Sequence, residues 1–257
     1  MKKIIAIALS VMLLALCCVG CGSTKDEAKE TVVVGYTIYA PMNYLDANNQ
    51  LIGFDTDLAK AVFEGLGYEV IFQEIDWSSK YTDLNAGTID CIWNGFTCNV
   101  ADDDDGIQRA EKVDFSYNYM ENRQVIVAKA DAGIASAADL ASKIAGVESG
   151  SAGESCANEI AGANVVPLQN QEAALMEVAA GTSDACVIDI TMANAMTGAG
   201  TSYADLTYKL SLSEELYGVS FRKESDLTAA FNDFMAELKA DGTLDALAAK
   251  YNLTLAN

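Results

Sequence analysis

Two charged residues, Arg109 and Asp189, have sequence surroundings that favour a binding role. Arg109 follows an acidic stretch that contains four consecutive aspartates, Asp102 to Asp105. Asp189 directly follows the apolar run of residues 185–188, which predicts a buried strand. Each residue also has a simpler interpretation that the spacing leaves open. Arg109 would then neutralise the aspartates at the surface, and Asp189 would cap a helix that begins at Ile190.

A third feature is the glycine-rich segment Gly150 to Glu154, which follows a predicted strand and begins a predicted helix. Ser151 and Glu154 have the spacing of a capping box, and free N–H groups at a helix start attract an anion. The segment is not a Walker loop because it lacks the Gly-Lys-Ser/Thr ending, and a plain capped helix is the alternative. An arginine, a helix start and an aspartate together complement a free α-amino acid, whose carboxylate and ammonium need opposite partners.

Other chemistries are excluded by what the chain lacks. It contains no histidine, which excludes histidine-based triads, histidine-ligated metals and imidazole acid–base catalysis. Cys91, Cys98, Cys156 and Cys186 show no CxxC spacing, so no zinc site is expected, and whether any of them form a disulfide stays open. The aspartate run lacks the EF-hand pattern and predicts a solvated loop rather than a calcium site. We expect no metal and no cofactor.

Charge and length narrow the class further. The chain has 16 Lys and Arg against 37 Asp and Glu, a net charge of −21. A surface this negative repels phosphate backbones, so nucleic acid is not an expected partner. The hydrophobic content of 51% supports a packed core. Without the first 20 of the 257 residues, 237 remain, which is more than one small domain and fewer than three.

The first residues resemble a secretory leader. An apolar run over residues 4–19, shorter than the about 20 residues that span a bilayer, follows a lysine-containing start. It ends in Cys18-Val19-Gly20-Cys21, which resembles a bacterial lipobox with Cys21 as the lipidated N-terminus. A signal peptide cleaved nearby is the alternative. We expect a leader over 1–20, a lipid-anchored linker over 21–30, and a soluble domain held outside the cytoplasmic membrane.

Strand and helix patterns alternate from Thr31 onward, which predicts an α/β fold with mainly parallel sheets. The segment Ala86-Gly87-Thr88-Ile89-Asp90-Cys91 has an echo in residues 180–186, where a helix again stops at glycine before a strand. Either convergent turn chemistry or two lobes of similar design explains the echo. Ligands of open α/β sheets bind at the carboxyl ends of the strands, so two lobes would form a cleft lined by residues 94–97 and Asp189.

Residues 32–253 resemble the family of extracellular solute-binding proteins that serve polar amino-acid ABC importers. The motifs that carry the resemblance are Tyr39-Ala40-Pro41, Gly53-Phe54-Asp55-Thr56-Asp57-Leu58-Ala59, Gly87-Thr88-Ile89-Asp90, Arg109 six residues before Phe115, Tyr217-Gly218-Val219, Lys239-Ala240-Asp241-Gly242-Thr243 and Lys250-Tyr251. The resemblance implies two lobes joined by a two-strand hinge, each with a mainly parallel sheet flanked by helices. Lobe 1 would comprise residues 31–125 and 219–257, and lobe 2 residues 126–218.

The resemblance also implies which residues contact the ligand. They are Arg109, Thr97, Ser151 and Ala152 around the carboxylate, Asp189 and Gly95 around the ammonium, and Tyr39, Trp77 and Asn94 around the side chain. The sequence departs from the family by an insertion between Thr97 and Arg109 that contains the aspartate run. It also lacks, at Thr37-Ile38, the acid that many binders of cationic amino acids carry. This favours a neutral or polar ligand such as glutamine or cystine.

The implied function is that of a monomeric, lipid-anchored receptor that binds a free amino acid between its lobes. It would deliver the ligand to a membrane ABC permease, at the outer face of the cytoplasmic membrane or in a periplasm. We expect a binding protein and not an enzyme. The alternatives are a dehydratase-type enzyme for small acids, with Glu148 or Glu154 as its acid, and a sensor module that feeds a receptor.

Overall fold

A computed structural model describes residues 29–102 and 105–256 of this chain. The predicted leader, the proposed lipidation at Cys21 and most of the linker lie outside the described residues. The strands are β1 (Thr31–Tyr36), β2 (Tyr44–Leu45), β3 (Leu51–Ile52), β4 (Glu69–Glu74), β5 (Cys91–Thr97), β6 (Asp114–Phe115), β7 (Met120–Asn122), β8 (Gln124–Lys129), β9 (Ile144–Glu148), β10 (Asn164–Leu168), β11 (Ala185–Asp189), β12 (Leu206–Ser211) and β13 (Glu215–Phe221). The α-helices are α1 (Phe54–Gly65), α2 (Lys80–Ala86), α3 (Arg109–Lys112), α4 (Ala152–Asn158), α5 (Gln171–Ala180), α6 (Ile190–Met196), α7 (Asp226–Ala240) and α8 (Thr243–Lys250).

Two sheets form the cores of two lobes, and they have the same plan. The sheet of the first lobe has the order β4-β1-β5-β13-β6, with β7 also paired to β13. The sheet of the second lobe has the order β10-β9-β11-β8-β12. In each, three parallel strands are continued by antiparallel ones, β13 in the first lobe and β8 in the second. The α/β class is confirmed. Both sheets are mixed rather than purely parallel, because β13 runs antiparallel to β5 and β8 runs antiparallel to β11.

The chain crosses between the lobes at two places. It leaves the first sheet after β7 and enters the second at β8, and it returns between β12 and β13. Gln124 therefore belongs to the second sheet and Glu215 to the first. The finer division of the chain at residues 125/126 and 218/219 stays a prediction.

The sequence echo corresponds to equivalent positions in the two lobes. Helices α2 and α5 end at Gly87 and Gly181, both left-handed, with φ of 75° and 82°. The next strands, β5 and β11, hold the same place as the third parallel strand of each sheet. The aspartate in each turn accepts a hydrogen bond from the backbone of the neighbouring parallel strand. Asp90 accepts from the Val33 N–H at 2.9 Å, and Asp184 accepts from the Ile144 N–H at 2.8 Å.

Aromatic packing fixes β5, the strand that carries several predicted site residues. The buried Trp93 ring lies 6.0 Å from the ring of Phe63 on α1 and 5.0 Å from that of Phe231 on α7. Buried aromatic rings of this kind contribute both apolar area and edge-to-face contacts. The end of β5 is thereby held in place by the core beneath it. Within residues 29–102 and 105–256, the helices lack the length and apolar character needed to cross a membrane.

Candidate ligand-binding cleft

The carboxyl ends of β5, β9 and β11 meet at a cavity between the two lobes. It measures about 20 Å³, on the scale of one water molecule, so the lobes are closed on each other. The residues that line it are Trp77, Asn94, Gly95, Thr97, Arg109, Gln124, Glu148, Ser151, Ala152, Gln171 and Asp189. A second cavity of about 230 Å³ shares Arg109 with it and is also lined by Lys80 and Glu154. This is the sheet edge at which open α/β proteins bind their ligands.

Eight of the nine predicted ligand contacts line this cavity, and Tyr39 does not. The Tyr39 ring lies behind Gly95, where a Cβ in place of the glycine hydrogen would come within 2.6 Å of it, and its hydroxyl is 2.7 Å from that of Tyr217. Three lining residues, Gln124, Glu148 and Gln171, were not predicted as ligand contacts. Glu148 had a detectable signal, because it ends a predicted strand at the same edge as Asp189. The two glutamines had none.

Arg109 is buried at the start of α3, with 1% of its surface exposed. Its Nε donates to Asp102 Oδ1 at 2.7 Å and its Nη1 donates to the Thr97 carbonyl at 3.2 Å. The Nη2 donates to the carbonyl of Gly150, in the other lobe, at 3.5 Å. The guanidinium lies over the Phe96 ring, 5.0 Å from its centroid. These contacts hold the guanidinium plane against the cavity wall.

Asp102 corrects the prediction that the aspartate run is only a solvated loop. It is buried and bridges two cations, since its Oδ2 also accepts from Lys112 Nζ at 2.8 Å. Burial raises the pKa of Asp102, but the Arg109 charge and the hydrogen bonds outweigh it and hold the pKa below its usual range. Asp105 is exposed and pairs with the same lysine at 2.8 Å. The surface-neutralising interpretation of Arg109 is thus half right: it pairs with an aspartate of the run, but in the interior.

Asp189 is buried at the end of β11, and its side chain does not cap the helix that follows. Instead its Oδ1 accepts from Asn122 Nδ2 at 2.5 Å and from Gln124 Nε2 at 2.6 Å. Its Oδ2 accepts from Gln171 Nε2, and its own N–H donates to Gln171 Oε1 at 3.0 Å. The three amides fix the carboxylate at the cavity wall.

A second buried carboxylate, Glu215, lies directly behind Asp189. Its Oε2 accepts from the same two amides, Asn122 Nδ2 at 2.8 Å and Gln124 Nε2 at 3.0 Å, and from Thr97 Oγ1 at 3.1 Å. Burial, and after it the charge of Glu215, raise the pKa of Asp189. A cation in the cavity would offset the repulsion between the two acids and favour the ionised form of Asp189, so the pair favours a cationic group there.

The start of α4 forms half of the predicted capping box, because Ser151 caps the helix but Glu154 bonds to the residue before it and not to the Ser151 N–H. Ser151 Oγ accepts from the Glu154 N–H at 3.1 Å, and Glu154 Oε2 accepts from the Gly150 N–H at 2.6 Å. The Gly150 carbonyl accepts from Lys80 Nζ at 3.0 Å, and that ammonium also donates to the Trp77 carbonyl at 3.3 Å. Lys80 belongs to the first lobe and Gly150 to the second, so this bond exists only when the lobes are closed.

Two predicted contacts have their side chains already engaged. Asn94 Nδ2 donates to the Thr37 carbonyl at 2.9 Å and to Asn43 Oδ1 at 2.8 Å, which orders the loop after β1. The Trp77 ring is buried edge-to-face on Phe96, with centroids 5.2 Å apart. Their contacts with a ligand stay predictions.

Cys91, Cys98, Cys156 and Cys186 are free thiols, and within the described ranges no group of three or more acidic or cysteine side chains is arranged to hold a metal ion.

The fold and the cleft define a bilobal solute-binding protein, with two α/β lobes closed over a polar cavity. The chain belongs to the bacterial extracellular solute-binding proteins, family 3, whose sequence profile matches residues 32–254.

Named relatives match almost the whole chain. The arginine-binding extracellular protein ArtP of Bacillus subtilis (strain 168) is 28% identical over 98% of both chains. The lysine/arginine/ornithine-binding periplasmic protein of Escherichia coli (strain K12) is 31% identical over 97% of this chain and 96% of its own. Among solved structures, an ancestral arginine-binding protein bound to arginine is 32% identical, with a TM-score of 0.77 over 87% of this chain and 99% of its own. The predicted family is confirmed.

Proposed function

We propose that this protein binds a free α-amino acid in the cleft between its lobes and delivers it to a membrane ABC permease. The observation that carries the proposal is that Arg109 and Asp189, exposed by only 1% and 5%, line one cavity with opposite charges. The arginine would take the ligand carboxylate and the aspartate its ammonium, as charge-assisted hydrogen bonds require. The amino-acid-binding relatives support the same class of ligand.

The other predicted contacts have roles in the same proposal. They are Thr97, Ser151 and Ala152 at the carboxylate, Gly95 at the ammonium, and Trp77, Tyr39 and Asn94 around the side chain. Because the cavity of about 20 Å³ is too small for an amino acid, the lobes must open to admit one. Contacts from both lobes would then stabilise the closed form around the ligand, which is the form presented to the permease.

The sequence-based preference for the ligand side chain, neutral or polar as in glutamine or cystine, is part of the proposal. It rests on Thr37, which supplies a hydroxyl where cation binders often carry an acid. We also propose that the protein is a monomer that turns over no substrate. Lipidation at Cys21 would hold it at the outer face of the cytoplasmic membrane.

Melting shifts test the proposal. Residues 22–257 would be unfolded, refolded to remove any bound ligand, and heated with each common amino acid and with cystine. At about 100 times Kd a ligand adds about 2.7 kcal/mol, which is a rise on the order of 5–10 °C. No rise with any of them would refute the proposal, and consumption of a bound acid would point to the enzyme alternative.

Arg109→Met is the decisive variant. It removes the guanidinium while Lys112 still pairs with Asp102. We expect cooperative melting without ligand and a loss of affinity of about 100-fold or more, because charge-assisted hydrogen bonds contribute about 1.5–3 kcal/mol each. The matched control is Arg123→Met at a half-exposed position, where the side chain is 51% accessible and pairs with Glu214 at 3.3 Å. Unchanged affinity in Arg109→Met would remove this residue from the site.

A further inference from the structure

Glu148 is a buried carboxylate in the cleft. In the proposed function, Arg109 and Asp189 pair with the ligand, and Glu148 has no role. It ends β9, is 4% exposed, and lines the same cavity. Its Oε1 has no hydrogen-bond partner among the described residues. A buried polar atom without a partner destabilises the fold, and more so when the group is charged. An acceptor left open at a ligand cavity indicates that the missing donor comes from the ligand.

The charges around the cavity support this. Among the described residues, the charged side chains that line it are one cation, Arg109, and two acids, Glu148 and Asp189. A zwitterionic amino acid would match the arginine and the aspartate, and would leave Glu148 without an opposite charge. Lys80 is nearby, but its hydrogen bonds go to the carbonyls of Trp77 and Gly150. Burial, and after it the charge of Asp189, raise the pKa of Glu148 to about 8.

The polar neighbours of Glu148 have other partners as well. The nearby side chains of Thr37 and Gln171 lower the pKa of Glu148, but by less than burial raises it, and neither of them donates a hydrogen bond to its Oε1. Thr37 Oγ1 donates to Asn94 Oδ1 at 2.6 Å, and Gln171 Nε2 donates to Asp189. Thr37 lies on the first lobe and Glu148 on the second, and of the two only Glu148 lines the cavity.

We infer that Glu148 accepts a hydrogen bond from a nitrogen-bearing group at the end of the ligand's side chain. The cleft then selects amino acids that end in an amide, an ammonium or a guanidinium over those that end in a hydrocarbon or a carboxylate. The inference rests on the proposed function, and it assigns the selectivity to an acid of the second lobe in place of one at Thr37. A charged nitrogen and an amide nitrogen can both donate a hydrogen bond to Glu148, and substitutions at Glu148 distinguish the two.

Titration calorimetry with glutamine, lysine, arginine, leucine and glutamate tests the inference. Wild type should bind at least one of the first three about tenfold or more tighter than leucine or glutamate. Glu148→Leu, which removes the acceptor, should abolish that preference. Glu148→Gln, which keeps an acceptor oxygen and removes the charge, should weaken an ammonium or guanidinium ligand about tenfold or more and an amide ligand only a few-fold.

Glu159→Gln is the matched control, because it makes the same chemical change at an exposed position of the same lobe. It should leave every Kd unchanged. Wild type that prefers leucine or glutamate, or a nitrogen preference that survives both Glu148 variants, overturns the inference while the proposed function stands. Failure of all amino acids, including those outside this set, to bind the wild type overturns both.

Discussion

Replacing Glu215 by glutamine should flatten the dependence of the protein's stability on pH, so that the variant gains stability relative to wild type as the pH rises. Glu215 and Asp189 are buried carboxylates that share the amides of Asn122 and Gln124. A glutamine at position 215 keeps the shape and one acceptor oxygen. Its new amide would face Ser213, whose hydroxyl now donates to Glu215 Oε1 at 3.2 Å and can accept instead.

The magnitude follows from the distance between the two acids. The bonds from Asn122 Nδ2 are 2.5 Å to Asp189 and 2.8 Å to Glu215, so the two oxygens are at most 5.3 Å apart, the sum of the two. Two like charges at about 5 Å repel by about 3 kcal/mol at an effective dielectric constant of 20, which is about two pKa units. Removing the charge at position 215 should lower the pKa of Asp189 by about that amount.

The sign follows from proton linkage. Because the pKa of Asp189 is raised in the folded protein, the folded state holds a proton that the unfolded state has released. The free energy of unfolding therefore falls as the pH rises from about 4 through the raised pKa. In Glu215→Gln this fall should be smaller, so that the stability of the variant relative to wild type increases by about 3 kcal/mol between pH 5 and pH 8.

Urea unfolding followed by tryptophan fluorescence at pH 5, 6, 7 and 8 measures this difference. Glu215→Gln also loses the charge-assisted hydrogen bonds to Glu215. Any effect of that loss that is the same at every pH cancels when the difference in unfolding free energy between variant and wild type is compared across pH. Glu121→Gln, an exposed position on the neighbouring strand β7, is the matched control and should show no change with pH. A difference between Glu215→Gln and wild type that stays constant from pH 5 to pH 8 would refute the reasoning.

Two further substitutions test the walls of the cleft. Gly95→Ala should lower the free energy of unfolding by about 2–4 kcal/mol, because the φ of Gly95 is 60° and a Cβ would lie 2.6 Å from the Tyr39 ring. The control, Gly87→Ala, has a φ of 75° and nothing within 4 Å of the added Cβ, so it should cost only the strain of placing alanine in a left-handed conformation. Equal losses of the two variants in urea unfolding would contradict the packing argument. Lys80→Met removes the hydrogen bond of 3.0 Å that joins the Lys80 ammonium to the Gly150 carbonyl of the other lobe. Ligand release should then be about tenfold faster in stopped-flow measurements. An unchanged release rate would show that this bond does not stabilise the closed form.

Local signals in the sequence were enough to predict the elements that position the site. The capping pair Ser151 and Glu154 marks the start of α4, and Gly87 and Gly181 mark the ends of equivalent helices. Such signals are readable because caps and left-handed turns depend on residues within one turn of each other. The rule that ligands bind at the carboxyl ends of strands predicted a cleft lined by residues 94–97 and Asp189, and the family resemblance added Arg109. Arg109 and Asp189 line the same cavity.

The partners of those two charges could not be predicted from the sequence. Asp102 belonged to a run of aspartates with nothing to distinguish it, yet it pairs with Arg109 in the interior, whereas Asp105, the other described aspartate of the run, is exposed. Asn122 and Gln124 have no periodicity or motif that marks them as ligands of two carboxylates. Glu215 is 26 positions from Asp189 in sequence and lies in the other sheet, so only the return crossing of the chain brings them together.

The α/β pattern of the lobes, the charges that face the cleft and the family of the chain were all predictable from the order of its residues. These depend on short-range propensities and on motifs in a fixed order. The pairing of the buried charges, the open acceptor at Glu148 and the position of Tyr39 behind the cavity wall emerge only once the chain is folded. Such facts depend on distances between side chains from strands far apart in the chain, and the free energy of a buried polar group is set by those distances and not by its neighbours in sequence.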